Sequence, residues 1–378
     1  MKIIIIGPAH PLRGGGMATF NERLARQFQN EGHETIIYTF SLQYPSFIFP
    51  GTSQYSTEPA PKDLNIKVCI NSVNPLNWII VGNQIKKENA DIIVVRYWLP
   101  LMGPCLGTIL RIVKKNNHSK IVCIADNIAP HEKRFGDKPF TKYFIKPVDS
   151  FIVMSEKVMQ DLRLFDKTKP ARLVNHPLYD NFGEKVSKEE ARKELGIGNE
   201  EKIVLFFGFI RKYKGLDILL DAVKIIKDLK FSNLNPKFLI AGEFYEDRKM
   251  YNDQIEKLGI KDQLILHTHF IPDKMVKYYF CACDVVIQPY RNATQSGVTP
   301  LAFHFEKAMI VTDVGNLPKM LANGNAGLIA EPNAFSIAEK IDDYFSLPED
   351  FFKDNLVREK SKYNWVNMTF AIIGISSR

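Results

Sequence analysis

The sequence predicts an α/β protein built from two Rossmann-like, doubly wound domains that face a cleft. Three observations predict it. Lys2–Gly7 is a continuous β-branched run with no polar alternation, closed by glycine; strands of a parallel sheet, covered on both faces, read this way. Periodicity lapses over residues 175–187, through Asn175-His176-Pro177 and Asp180-Asn181-Phe182-Gly183, which marks a domain boundary. A strand–helix alternation then restarts at Lys202–Phe207 and continues to Asp313. With 378 residues, each half has the size of an ordinary domain.

In the first half, Gly14, Gly15 and Gly16 follow the opening strand. Met17, Phe20, Leu24 and Phe28 then recur at helical spacing, Gly32 stands as a C-cap and Glu34–Phe40 reads as the second strand. This is a βαβ opening with a glycine-rich turn at the carboxyl end of its first strand. Residues 41–64 read as a long loop rich in Pro, Ser and Tyr. Strands follow at Asp91–Arg96, Lys120–Ala125 and Asp149–Met154, with helices at Met102–Lys115, Lys138–Lys146 and Ser155–Leu164.

In the second half, Lys188–Leu195 is a short helix. Strands are expected at Lys202–Phe207, Lys237–Ala241, Gln263–His267, Asp284–Gln288 and Met309–Asp313. Helices are expected at Leu216–Leu229, Asp247–Leu258, Asp273–Cys281 and Val298–Phe305, and in the tail at Glu349–Tyr363 and Val366–Ile373.

The longest apolar runs are only about as long as Ile3–Ile6 and Ile92–Val95, and a spanning helix needs about 20 apolar residues. The N-terminus does not read as a secretory signal, because Gly-Pro and the triple glycine interrupt its short apolar run. Five cysteines without CxxC spacing read as reduced thiols in or near a core. A cytoplasmic protein is the expectation. Net charge is +8, and its distribution is uneven: residues 1–180 hold 23 basic and 15 acidic side chains, the remainder 27 and 27. The whole excess lies in the first half, which suits an anionic partner there. No nucleic-acid recognition module is present, so nucleic acid is not the expected partner.

Chemistry concentrates in six places. FFGFIRKYKG, Phe206–Gly215, ends a buried strand in Gly208 and releases Arg211 and Lys214 before a helix. A planar fork of donors beside a mobile ammonium suits a diphosphate; a solvated basic turn is the bland reading. TQSGV, Thr294–Val298, reads as a helix start. There Thr294 and Gln295 offer polar side chains, and Ser296, Gly297 and Val298 offer backbone amides to an anion; a plain N-cap at Ser296 is the alternative. Gly242-Glu243 holds the analogous rim position after its strand, and Phe270, Ile271 and Asn292 would shape the pocket. His131 follows the strand ending at Ala125, where ligands of open α/β sheets bind, or it is a surface histidine. The glycine run 14–16 is not the dinucleotide fingerprint or a P-loop; it is a flexible turn or a binding loop. Arg134, Lys138, Lys142 and Lys146 repeat every four residues with Phe140, Tyr143, Phe144 and Ile145 between them. Such a segment either lies on an anionic membrane surface or is a solvated helix face.

In order and spacing these segments resemble a family-4-type glycosyltransferase of the GT-B fold, across almost the whole chain. The resemblance rests on the Gly14–Gly16 loop before a helix ending EGHE (Glu31–Glu34), on Gly208–Gly215, on AGE at Ala241–Glu243, on SGVTPLAFHFEKAMIVTDVG at Ser296–Gly315, and on Pro318. It implies an acceptor-side domain over residues 1–180, a nucleotide-sugar domain over 181–363, and a tail helix, 364–378, packing back on the first. It implies retaining hexosyl transfer from a nucleotide-diphosphate sugar to a glycan or polyprenyl-diphosphate-linked acceptor, in surface polysaccharide or glycan synthesis, with no cofactor and no essential metal. Peripheral contact with the inner membrane face would follow. Arg211 and Lys214 match the cations that hold the donor diphosphate, His131 the histidine near the donor sugar, and Gly15 and Gly16 the loop over the phosphates. One departure stands out. Two glutamates common in the family's donor loop correspond to Thr294 and Ala302, which aligns the chain with a TQSG subgroup. Gln295, Ser296 and Glu306 are candidates to remake the lost contacts. A non-catalytic sugar-nucleotide binder, or a partner subunit of a glycan assembly complex, is the alternative.

Overall fold

The computed structural model describes residues 1–13, 16–45, 53–56, 58–128, 136–178, 180, 182–229, 235–293 and 296–377. The chain divides into two compact units, Met1–Pro177 with Asn364–Arg378, and Leu178–Tyr363.

The first unit runs β1 (Lys2–Ile6), α1 (Met17–Asn30), β2 (Glu34–Leu42), β3 (Asn65–Asn71), α2 (Pro75–Glu88), β4 (Ile92–Tyr97), α3 (Gly103–Val113), β5 (Lys120–Ala125), α4 (Asp137–Ile145), β6 (Ser150–Val153), α5 (Glu156–Phe165) and β7 (Ala171–Leu173). Its sheet has the order β3-β2-β1-β4-β5-β6-β7, and every ladder is parallel. Strand residues alternate between two cores. Ile4, Ile6, Ile93, Val95 and Cys123 point into one shared with Val81 of α2, Leu106 of α3, Phe144 of α4 and Leu162 of α5. Burial on both faces explains why these strands read as continuous apolar runs.

The second unit comprises α6 (Lys188–Leu195), β8 (Ile203–Phe207), α7 (Leu216–Leu229), β9 (Lys237–Ala241), α8 (Arg248–Leu258), β10 (Leu264–His267), α9 (Asp273–Ala282), β11 (Val285–Gln288), α10 (Val298–His304), β12 (Met309–Thr312), α11 (Leu317–Met320), β13 (Gly327–Ala330), α12 (Ala334–Ser346) and α13 (Lys353–Lys360). The sheet order is β10-β9-β8-β11-β12-β13, again parallel throughout. The last helix, α14 (Trp365–Ser376), belongs to the first unit, where it packs on α1 and on β5–β7. The Trp365 and Phe20 rings meet edge to face at 4.8 Å, and the Thr369 hydroxyl donates to Glu31 at 2.7 Å.

Both sheets therefore reverse direction once, between β1 and β4 and between β8 and β11. In this topology a crevice opens at that switch point, outside the carboxyl ends of the strands.

Several elements escape the sequence pattern. β3, α2, β7, β13, α11 and α12 are all present. In α2, Trp78-Ile79-Ile80-Val81 is a consecutive apolar run with no 3.6-residue stripe. The helix starts where it does because Asn74 accepts hydrogen bonds from the Leu76 and Asn77 amides at 3.1 and 3.3 Å. β3 and β7 are edge strands and lack the buried signature. All five cysteines are free thiols, four of them buried and Cys69 half-buried.

Candidate functional site

The best-defined candidate site lies at the switch point of the second unit. β8 ends at Phe207, and Gly208 turns the chain with φ +95°. Beside it, Gly242 ends β9 with φ +146°, and a Cβ there would overlap the Gly208 carbonyl oxygen. The two glycines let adjacent strands turn out of the sheet back to back, a close approach no side chain permits. The strands then pair once more: the Ile210 amide donates to the Glu243 carbonyl at 2.8 Å, and the Tyr245 amide to the Ile210 carbonyl at 3.0 Å. A short 3-10 turn, Lys212–Lys214, ends at Gly215 with φ +69°. A Cβ on Gly215 would overlap the Pro289 carbonyl oxygen, so the turn is pressed against the chain leaving β11.

This backbone sets two cations side by side. The exposed Arg211 guanidinium lies over the Tyr245 ring at 5.0 Å, and Tyr245 is stacked on Phe209 at 4.2 Å. The Lys214 ammonium is tucked between Gly208, where a Cβ would lie 2.9 Å from Nζ, and the Tyr290 ring, whose centroid is 5.7 Å away. Among the described residues no carboxylate pairs with either cation. Burial, and then the neighbouring Arg211 charge, push Lys214 down to about 7. A cation held short of its ordinary pKa and without a counter-ion is poised for an anionic ligand.

The second stretch arrives beside the first. Val298 opens α10 next to Gly208, its Cγ2 3.9 Å from where a Gly208 Cβ would sit. Ser296 is buried. Its Oγ accepts a hydrogen bond from the Val298 amide at 3.2 Å and shares one with Tyr290 Oη at 3.3 Å. The Val298 amide, which the helix-start pattern offers to an anion, is thus already engaged by Ser296. Gly297 is exposed. Tyr290 links the two stretches, with its ring under Lys214 and its hydroxyl on Ser296. It is absent from the sequence-derived set. Its place, two residues beyond β11 at the switch point, was the available signal.

The remaining sequence-derived residues fall as follows. Glu243 is buried on the β9 side of the turn. Phe270 and Ile271 lie between β10 and α9, the first half-buried and the second buried, with β10 at the sheet edge two strands from β8. Gly16 stands before α1 with φ +54°. His131, Gly14, Gly15, Arg134, Thr294 and Gln295 lie outside the described residues.

Glu306 is corrected. It follows the opposite end of α10, where its carboxylate is held by Lys185 at 3.0 Å and Lys360 at 3.1 Å. It does not replace a lost donor-loop glutamate, and the other such position, Ala302, is fully buried. In the first unit, Asp126 after β5 is clamped by Arg96, with Nε–Oδ2 2.5 Å and Nη2–Oδ1 2.6 Å. Both side chains are buried, and the guanidinium covers the Phe20 ring at 3.9 Å.

Residues 187–361, within the second unit, match the family of glycosyl transferases group 1. At 25% identity over 283 residues, the chain is similar to a D-inositol 3-phosphate glycosyltransferase of Corynebacterium glutamicum; the match covers 68% of this chain and 65% of that enzyme. Together with two other curated relatives, matched over 52% and 64% of their length, the chain spans half to two thirds of such proteins. The fold of this chain is similar to sucrose-phosphate synthase from Thermosynechococcus elongatus, with TM-score 0.76, 15% identity and coverage of 100% and 98%. It is also similar to Anabaena HepE, solved in complex with UDP-glucose, with TM-score 0.74, 14% identity and coverage of 100% and 99%. Two parallel-sheet Rossmann-like units with these neighbours constitute the GT-B fold.

Proposed function

We propose that this chain transfers a sugar from a nucleotide-diphosphate donor to a glycan or polyprenyl-diphosphate-linked acceptor, with retention at the anomeric carbon. One observation carries the proposal. Arg211 and Lys214, unpaired among the described residues, sit on a glycine-built turn at the switch point of a glycosyltransferase group 1 domain. UDP-sugars are the first donors to test, because a protein of the same fold was solved with UDP-glucose.

In the proposed step the bond from the anomeric carbon to the diphosphate oxygen breaks. The acceptor oxygen bonds to that carbon on the same face, and the acceptor proton passes to the departing diphosphate. Arg211 and Lys214 stabilise the charge gathering on the leaving group, without a metal held by the protein. A preorganised donor of this kind supplies ~3–4 kcal/mol at the transition state. His131 and the 14–16 loop would serve the donor sugar and phosphates. The basic excess of the first half suits an acceptor that carries its own diphosphate, at a membrane surface on the cytoplasmic side.

The vacant glutamate positions favour a second function, a sugar-nucleotide binder that transfers nothing. Incubation with UDP- and GDP-sugars and a set of lipid-diphosphate acceptors separates the two. Transfer with the donor's anomeric configuration kept supports the first. Inversion removes the retaining step. Donor binding without transfer to any acceptor supports the binder.

A further inference from the structure

Two neighbouring strands of the second unit end in polar residues that are fully buried: Gln288 closes β11 and Thr312 closes β12. Val285 and Ile287 point into the core shared with α7, α8 and α12, so by strand alternation Gln288 points to the other face, under α10. There it meets Thr299, the second residue of α10, which is also fully buried. Gln288 Nε2 donates to Thr299 Oγ1 at 3.0 Å, and that hydroxyl donates to Gln288 Oε1 at 3.3 Å. Nε2 has a second acceptor in Met309 Sδ at 3.6 Å. The Thr312 hydroxyl donates to the Tyr290 carbonyl at 2.6 Å and stands 3.4 Å from the Gln288 carbonyl.

The exit of β11 is gripped on its far side as well. The Arg291 amide donates to the Tyr213 carbonyl at 2.7 Å, the Arg291 guanidinium pairs with Asp217, and the Pro289 carbonyl lies where a Gly215 Cβ would be. Tyr290 is held between the two grips, with its ring beside Lys214 and its hydroxyl on Ser296. A buried amide–hydroxyl pair contributes little net stability, because apolar groups of the same shape can replace both partners almost neutrally. What a satisfied polar network adds is a unique arrangement: the two bonds tie the first turn of α10 to the end of β11 in one register. That turn starts with Val298, beside Gly208. The pair therefore fixes two sides of the Lys214 site while being closed to any ligand itself.

We propose that Gln288, Thr299 and Thr312 are positioning residues, a buried polar clamp that holds Tyr290 and the start of α10 in the one arrangement in which Lys214 meets the donor diphosphate. The clamp sets geometry and leaves stability almost unchanged. It deepens the proposed donor site and rests on it for its purpose, but one of its readouts needs no ligand. The charged and titratable groups that face Lys214 are Arg211 on its own turn and Tyr290 from the β11 exit; Gly208 and Val298 come from the β8 and α10 sides.

The test compares Gln288→Leu/Thr299→Val, Thr299→Ser and Thr312→Val with the parent in the full chain. Each is read by Tm, by NMR titration of carbon-labelled Lys214 without ligand, by the Kd for UDP-glucose and by transfer kinetics. The double variant should keep the parent's Tm, yet raise Kd ~fivefold and lower kcat ~10²-fold with a smaller change in KM. Its Lys214 should titrate about one pH unit or more above the parent's value of about 7, because water enters beside the ammonium. Thr299→Ser keeps the hydroxyl and loses a core methyl, so it should lower Tm yet keep the parent's Kd and kcat. Thr312→Val removes only the hold on the Tyr290 carbonyl; it should move Lys214 and Kd in the same direction as the double variant, and decides the matter where that variant does not fold. Three results overturn the proposal: a double variant with the parent's Lys214 midpoint and Kd, losses of Kd that follow Tm across all three variants, or a parent Lys214 that titrates near 10.5. A parent that binds no nucleotide sugar refutes the proposed function alone, since the Lys214 titration still reads the clamp.

Discussion

Titrating Lys214 gives the sharpest quantitative consequence of the donor cradle. In the free protein its pKa stands at about 7 instead of 10.5, because burial, and then Arg211, disfavour the charged form. A diphosphate set against the ammonium reverses both effects and lifts the pKa back. Below pH 7 the lysine is charged before the ligand arrives, so affinity is flat. Above pH 7 each binding event must first take up a proton, and affinity falls tenfold per unit, about 1.4 kcal/mol. From pH 7, where the lysine is already half neutral, to pH 9 the Kd for UDP-glucose should therefore rise ~50-fold. At pH 8 about 0.9 proton should enter per ligand bound. A nucleotide sugar suits the test because its diphosphate has no group titrating in this range. Calorimetry in phosphate-free buffers of different ionisation heats reads both quantities. Lys214→Met should bind weakly with a flat profile. It should also stabilise the free protein. Since the folded pKa is depressed, a charged Lys214 opposes folding fully below pH 7, and that cost fades as pH rises from 7 towards 10.5. The gain in Tm should therefore be larger at pH 6 than at pH 9. A Kd constant within twofold from pH 6 to 9, with no proton uptake, refutes the placement of Lys214 against the diphosphate.

Other predictions concern the frame of the site. Arg211→Ala should lower kcat by ~10²–10³ with a smaller change in KM, and should leave Tm in place because the side chain is exposed; unchanged turnover would remove Arg211 from the leaving-group site. Tyr290→Phe keeps the ring under Lys214 but deletes the Ser296 contact, and should cost ~1 kcal/mol in donor binding, about fivefold in Kd; an unaltered Kd would mean the hydroxyl does not position Ser296. Gly242→Ala drives a Cβ into the Gly208 carbonyl, and should lower Tm and abolish nucleotide binding together; a folded variant with parental Kd would show that the turn accommodates it. Arg96→Met takes both guanidinium hydrogen bonds from the buried Asp126 carboxylate, and should cost ~3–5 kcal/mol in urea unfolding; a loss under 1 kcal/mol would show that the clamp contributes little to stability.

The two-sheet architecture was legible because parallel strands buried on both faces cannot hide: Ile3–Ile6 and Ile203–Phe207 have no polar alternation to confuse them. What was missed sits at edges and surfaces. β3 and β7 are half-open, and α2 spends its apolar residues on solvent, so its hydrophobic pattern does not report a buried stripe. Arg211 and Lys214 were legible as cations after a glycine-closed strand. Tyr290 was not, because an aromatic after a strand looks like core until the strand order places it across the switch point. Glu306 misled for a related reason. One-dimensional spacing put it near the donor loop, whereas α10 carries it to the far end, into a pair of lysines.

The most direct test of sugar transfer itself is product mass. The chain, incubated with a panel of UDP- and GDP-sugars and polyprenyl-diphosphate-linked glycan acceptors, should convert one acceptor to a product heavier by a single sugar residue. Arg211→Ala should form that product ~10²–10³-fold more slowly while leaving the protein folded. Saturable binding of a nucleotide sugar with every acceptor returned unchanged would contradict transfer and leave a binding protein in its place.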